Sequence, residues 1–224
     1  MKRSQINQIL RSAVSFFEEH CFPLPPFAFW SEAEWRAKGA ECDELRRYAL
    51  GWDITDFGSG DFDACGLLLF TLRNGAPNDP LSHKPYAEKA MMCKVNQVTP
   101  YHYHTYKTED IINRGGGVLC IQLYNAAQDD SFADTSVKVY ADGQQSELPA
   151  GGIVQLHPGE SITLYPRLYH QFWAEGSTTF VAEVSMCNDD NTDNHFYQPR
   201  GRFPAIEEDE ARLYLLGNEY PTAF

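Results

Sequence analysis

From about residue 52 onward the chain is a train of short apolar runs separated by glycine, proline, asparagine and aspartate. The runs fall at 65–73, 87–95, 98–103, 118–124, 136–141, 153–156, 161–165, 170–174 and 178–185. Each is too short for an ordinary helix, and the spacing between turn signals is regular. Asn74-Gly75 is a strong turn, and Asp142-Gly143 is the strongest hairpin signal of the set. Many short strands with little room for crossover helices predict an antiparallel sandwich or barrel.

The first fifty residues have a different period. Ile6, Ile9, Leu10, Ala13, Val14 and Phe17 recur at three- and four-residue steps, which predicts an amphipathic helix over 4–20. Pro23, Pro25 and Pro26 end it. Ser31 followed by Glu34 reads as a capping box opening a second short helix, and a third helical stretch is expected over 41–49. This segment is too short to hold its own core. The tail from Asn188 reads as polar loop, with a last helix expected over 205–216 before Gly217. The expected organisation is one domain: a helical extension over 1–50, a β-barrel over 51–187, and a C-terminal loop and helix over 188–224.

Composition narrows the function classes. A net charge of −13 argues against nucleic acid or an anionic membrane as partner. No apolar run is long enough to span a bilayer, and Met1-Lys-Arg-Ser4 leads into an amphipathic stretch instead of a signal-peptide core. The six cysteines are scattered with no CxxC pair, so reduced, mostly buried thiols and a cytoplasmic location are expected.

The chemistry-bearing stretch is Pro100-Tyr-His-Tyr-His-Thr-Tyr-Lys-Thr-Glu-Asp110. His102 and His104 are two apart, so on a strand both imidazoles face the same side. Glu109 follows after enough chain for a turn to bring its carboxylate back to them. His170, at the head of a later strand, offers a fourth donor. Imidazoles with a carboxylate suit Mn²⁺, Fe²⁺, Co²⁺, Ni²⁺ or Zn²⁺. His20, His83, His157 and His195 read as ordinary surface or core histidines. Glu183 lies inside the apolar run Phe180-Val-Ala-Glu-Val-Ser185, where a buried carboxylate needs a partner or a task.

The spacing His102-x-His104-x4-Glu109-x6-Gly116 resembles the first motif of the cupin superfamily. Gly159 and His170 stand where its second motif has glycine and histidine. Tyr165, Arg167 and Ala174 replace that motif's proline, glycine and asparagine, and Asn96 replaces the glycine that opens the first. Longer stretches, at 50–58, 69–75, 109–117, 156–161 and 169–175, resemble the D-lyxose ketol-isomerase family of bacterial cupins.

The resemblance implies a mainly β fold: a cupin-type, jelly-roll-like antiparallel barrel with an N-terminal helical decoration and a short C-terminal helix. It implies interconversion of D-lyxose with D-xylulose, often of D-mannose with D-fructose, a preference for manganese, a free sugar as substrate, and a homodimer. It makes His102, His104, Glu109 and His170 the metal ligands. Lys107 matches a lysine implicated in the family's catalysis, with Lys89 as its rival nearby. The proton-carrying acid is either Glu183 or a group from the segment Asn194-His-Phe-Tyr-Gln-Pro-Arg200, where Gln198 is not an acid and is expected to contact substrate. Phe172, Trp173 and, less directly, Trp52 are candidates for aromatic faces against a sugar. Asp189, Asp190, Arg200 and Arg202 are candidates for its hydrogen bonds. An iron-dependent cupin dioxygenase and a non-catalytic sugar-binding cupin are the alternatives.

Overall fold

The computed structural model describes residues 1–76, 79–82, 84–189, 192–201 and 204–221. Its α-helices are α1 (Arg3–Glu19), α2 (Glu32–Arg36) and α3 (Asp43–Arg47). Its strands are β1 (Gly51–Thr55), β2 (Leu67–Arg73), β3 (Tyr86–Cys93), β4 (Thr99–His104), β5 (Glu109–Gly115), β6 (Val118–Asn125) and β7 (Val137–Ala141). They continue as β8 (Gln144–Leu148), β9 (Ile153–Leu156), β10 (Ser161–Leu164), β11 (Leu168–Glu175), β12 (Thr179–Met186) and β13 (Asn194–Phe196).

The strands form two sheets that face each other. The larger has the order β1-β2-β3-β12-β5-β10-β7-β8, and the smaller β13-β4-β11-β6-β9. Named pairings within both are antiparallel. This is the expected cupin-type double sheet. Between the sheets lies an apolar core that includes Leu69, Met91, Ile111, Leu119, Ile121, Leu123, Val139, Ile162, Phe172 and Val181. These residues alternate with outward-facing neighbours along their strands, as the pleat requires.

A second core lies outside the large sheet. The stripe Ile6, Ile9, Leu10, Ala13 and Phe17 of α1 packs with Trp52, Ile54, Leu68, Phe70, Met92 and Phe180. The N-terminal segment therefore closes the back of β1, β2, β3 and β12. Trp52 is spent there: its indole N–H donates to the Ala28 carbonyl at 2.8 Å. Ser31 caps α2 as its sequence predicts, with Glu34 reaching back to the Ser31 amide at 2.8 Å.

The helix expected over 205–216 does not form. That segment runs extended beside α1, with bridges from Lys2 to Glu207 and from Trp52 to Leu216, and only a short 3-10 turn at Gly217–Glu219. Long-range bonding explains the difference. Arg3 is fully buried and pairs with Glu208 at 2.8 Å and with Glu219. Asp209 accepts from the Ser4 amide at 2.9 Å, so it satisfies an open N–H at the start of a helix that has no acidic residue of its own there. Asn7 donates to Glu210 at 3.0 Å. The acidic run is used against α1, which outweighs its own helical tendency. Strands β1, β5, β8 and β13 also lie outside the strands expected above, and 194–196 falls in the tail that reads as loop.

Candidate metal centre and cavity

Register builds the site. Across the small sheet, His170 on β11 stands directly opposite His102 on β4, and Phe196 on β13 flanks His102 on the other side. His104 follows two residues on and shares the inner face. The loop 105–108 then carries the chain from the small sheet to the large one, where Glu109 is the first residue of β5. The four candidate ligands are thus gathered from both sheets.

The ligand atoms of His102, His104 and His170 all lie within 4.8 Å of one another. Glu109 Oε1 is 3.3 Å from Nε2 of His104 and 3.3 Å from Nε2 of His170. The tautomers of two rings are fixed. Nδ1 of His102 donates to the Pro100 carbonyl at 2.9 Å, and Nδ1 of His170 to the Leu168 carbonyl at 3.0 Å. Both Nε2 atoms are therefore bare lone pairs when the rings are neutral, and they face each other at 3.0 Å. Burial is the largest cause that keeps these rings neutral, pushing His170 down to about 4 and His102 well below its ordinary value. Two buried lone pairs at that distance, with a carboxylate oxygen beside them, are a donor set made for a cation. The residues fit a divalent metal.

A second cluster adjoins the first. Lys107 bridges two carboxylates, reaching Glu109 Oε2 at 2.8 Å and Glu183 Oε1 at 2.9 Å. Lys89 lies directly across the β3–β12 ladder from Glu183. It donates to Glu183 at 3.1 and 3.2 Å and to Asn188 Oδ1 at 2.6 Å. Ser185 Oγ donates to Glu183 Oε1 at 2.8 Å. All of these groups but Asn188 are buried. Burial would raise the Glu109 carboxyl, but the Lys107 ammonium, His104 and His170 together outweigh it and hold Glu109 well below the usual range. Glu183 is lowered in the same way, by Lys107 and then Lys89 against burial. Lys107 is raised, because Glu109 and Glu183 outweigh its own burial. The cluster is a chain of alternating charges, Glu109–Lys107–Glu183–Lys89.

Both clusters line one cavity of about 510 Å³, including the space at its mouth. Its polar wall holds the three histidines, Glu109, Lys107, Glu183, Lys89, Asn188 and Asn194. Its apolar wall holds Phe172, Phe57 and Phe196. Phe57 sits in a turn at φ +51°, and its ring meets that of Phe196 at 5.6 Å, while Phe196 lies 5.5 Å from the His102 ring.

Of the residues named from sequence, His102, His104, Glu109, His170, Lys107, Glu183, Lys89 and Phe172 come together here. Trp173 does not. It follows Phe172 on β11, so it faces the outer side of the sheet, where its indole donates to Glu175 at 3.0 Å. Gln198 is also elsewhere: it lines a cleft with Tyr101, Phe132, Gln171, Tyr197 and Arg200, and it accepts from Arg200 at 3.3 Å. Asp190 and Arg202 lie outside the described residues. Asp189 accepts from Thr192 Oγ1 at 2.6 Å and does not line the cavity. Phe57, Phe196, Asn188, Asn194 and Ser185 were missed. All but Ser185 lie outside the expected strands, and no periodic pattern marks them.

A model of the D-lyxose isomerase family matches residues 1–220. The chain belongs to that family. It is 49% identical over 98% of both chains to the D-lyxose/D-mannose isomerase of Escherichia coli O157:H7. It is 48% identical over 98% of both chains to the enzyme of the same name from Serratia proteamaculans. Among solved structures, L-ribose isomerase of Cellulomonas parahominis superposes with a TM-score of 0.60 at 17% identity, covering 92% of this chain and 98% of that one. At that identity the likeness speaks for the shared fold of the family's members and of those isomerases.

Proposed function

We propose that this chain is a metal-dependent aldose–ketose isomerase that interconverts D-lyxose with D-xylulose and D-mannose with D-fructose. Family membership and the two relatives near half identity support the sugar isomerase. The observation that carries the metal requirement is the pair of bare imidazole nitrogens facing each other at 3.0 Å beside Glu109.

A divalent cation held by His102, His104, Glu109 and His170, Mn²⁺ first and Co²⁺, Ni²⁺, Zn²⁺ or Fe²⁺ as substitutes, supplies Lewis acidity toward the sugar's O1 and O2. Glu183 is the proton carrier. Its Oε1 accepts from Lys107, Ser185 and Lys89, while among the described residues Oε2 accepts only from Lys89 at 3.2 Å. Oε2 is therefore the oxygen with capacity to take the proton from C2 of the aldose and return it at C1 of the ketose. Lys107 stays charged, keeps Glu183 ionised between turnovers, and offers an ammonium N–H toward the ring oxygen during opening. Lys89 fixes the second face of the carboxylate, and Phe172, Phe57 and Phe196 offer apolar surface to the sugar's C–H groups. Burial keeps bulk water from competing for the proton. A homodimer and a cytoplasmic location belong to the same proposal. Among the described residues no helix is long and apolar enough to cross a membrane.

The test is NMR of stripped protein, reloaded with Mn²⁺ and given D-lyxose or D-fructose in deuterated water. D-xylulose or D-mannose should form. Deuterium at the migrating position would identify a carrier that exchanges with solvent. No conversion of any pentose or hexose with Mn²⁺, Co²⁺ or Ni²⁺ would sink the proposal.

A further inference from the structure

Three histidines face the centre, but only two are anchored. Nδ1 of His102 and of His170 each donate to a backbone carbonyl two residues earlier. Nδ1 of His104 does not. It is a buried side-chain atom without a hydrogen-bond partner. Among the described residues Asp193 is the charged group beside it, with Oδ2 3.6 Å away, just beyond hydrogen-bond range. Both side chains are about 6% exposed.

Asp193 is itself held in place. Its Oδ1 accepts from the Tyr106 amide at 2.7 Å, and its carbonyl accepts from the Thr105 amide at 3.0 Å. Those amides belong to the loop that carries the chain from His104 to Glu109. Asp193 therefore grips the loop between two candidate ligands while its second carboxylate oxygen, Oδ2, stands 3.6 Å from Nδ1 of one of them. It comes from the segment after the barrel, just before β13, which pairs Asn194 with His104.

We propose that Asp193 is the positioning residue for His104: when a metal is held, it accepts the His104 Nδ1 proton and fixes that ring with Nε2 toward the ion. The inference rests on the metal reading above. A metal at Nε2 requires the proton on Nδ1, which then becomes a buried donor that must find an acceptor. Asp193 needs to move only a few tenths of an ångström to provide one. The segment around β13 thus becomes part of the metal centre without supplying a ligand.

The test is metal affinity, not turnover. Stripped protein is titrated with Mn²⁺, and the free ion is read by electron paramagnetic resonance. Asp193→Asn can keep an oxygen on the Tyr106 amide but turns an NH₂ group toward Nδ1–H. It should weaken Mn²⁺ binding about 10–100-fold while the metal-free melting temperature stays put. Asp193→Ala should weaken binding as much and also lower that temperature. Affinities within roughly twofold of wild type in both variants would overturn the inference. A second measurement needs no variant. In wild-type protein loaded with Zn²⁺, nitrogen-edited NMR should show a His104 Nδ1–H that is shifted downfield and slow to exchange. A His104 ring with its proton on Nε2, or with Nδ1 on the metal, would also overturn it. Wild-type protein that binds neither Mn²⁺ nor Zn²⁺ would instead defeat the metal reading on which this rests.

Discussion

Glu183 sits between two lysines, and its removal should separate chemistry from metal binding. Glu183→Gln keeps the shape but cannot carry a proton. We expect isomerisation to fall by about 10²–10⁴-fold with Mn²⁺ still bound, measured as kcat beside metal content. The variant should also melt lower, because Lys89 and Lys107 lose a buried counter-charge. The histidines set a pH dependence. The folded values of His170 and His102 lie below the ordinary 6.5, His170 at about 4 and His102 well below 6.5. Between those values the unfolded chain binds more protons than the folded one, so stability rises with pH. The metal-free protein should therefore lose melting temperature steadily as pH falls from about 6.5 toward 4, followed by calorimetry. The clustering of the candidate ligands was legible in sequence, because HxH on a strand leaves little choice of geometry. Trp173 faces away from the cavity for a related reason. A one-residue step from Phe172 reverses the side of the sheet, and residue type alone does not reveal parity.

At the level of elements, the site depends on how strands meet. Glu109 reaches His104 not by doubling back within one sheet but by crossing to the other, through the loop 105–108. The β5–β6 connection that follows needs Gly116. Its φ is +97°, and an added methyl would run into the Thr178 carbonyl and crowd Thr179 Cα at 3.0 Å. Gly116→Ala should cost on the order of 1–3 kcal/mol in denaturant unfolding, with a smaller loss of metal affinity through β5. The strand train was readable from turns and apolar runs. Strand β13 was not, since it is three residues long and gains its structure only by pairing with β4. The segment 205–216 was misread because its partner is a helix some two hundred residues away, and local propensity carries no record of that.

The whole molecule is closed by that contact. Arg3, fully buried, is shared by Glu208 and Glu219, and Arg212 joins at 2.7 Å from Glu208. Arg3→Ala leaves Glu219 nearly buried without its main partner, while Glu208 is exposed enough to be served by water. The variant should lose a few kcal/mol, on the order of the ~3–5 expected for a broken buried pair, and the loss should be seen as a lower urea midpoint. Activity per folded molecule should be unchanged, because the clasp lies behind the large sheet and the cavity lies in front of it.

That clasp also has a history in time. Helix α1 is made first, yet its capping aspartate and the two glutamates of Arg3 follow 205 to 216 residues later. At elongation rates of about 5–20 residues per second, the nascent helix waits on the order of 10–40 s with its arginine unpaired and its apolar stripe seeking cover. The sheets are completed late as well, since β11 and β12, central in the small and the large sheet, span 168–175 and 179–186, and the back of the large one is sealed only when the tail arrives. A released chain ending before Glu207 should keep the barrel but carry a loose, protease-sensitive N-terminus, so the quality of the finished protein is decided by the last residues to be made.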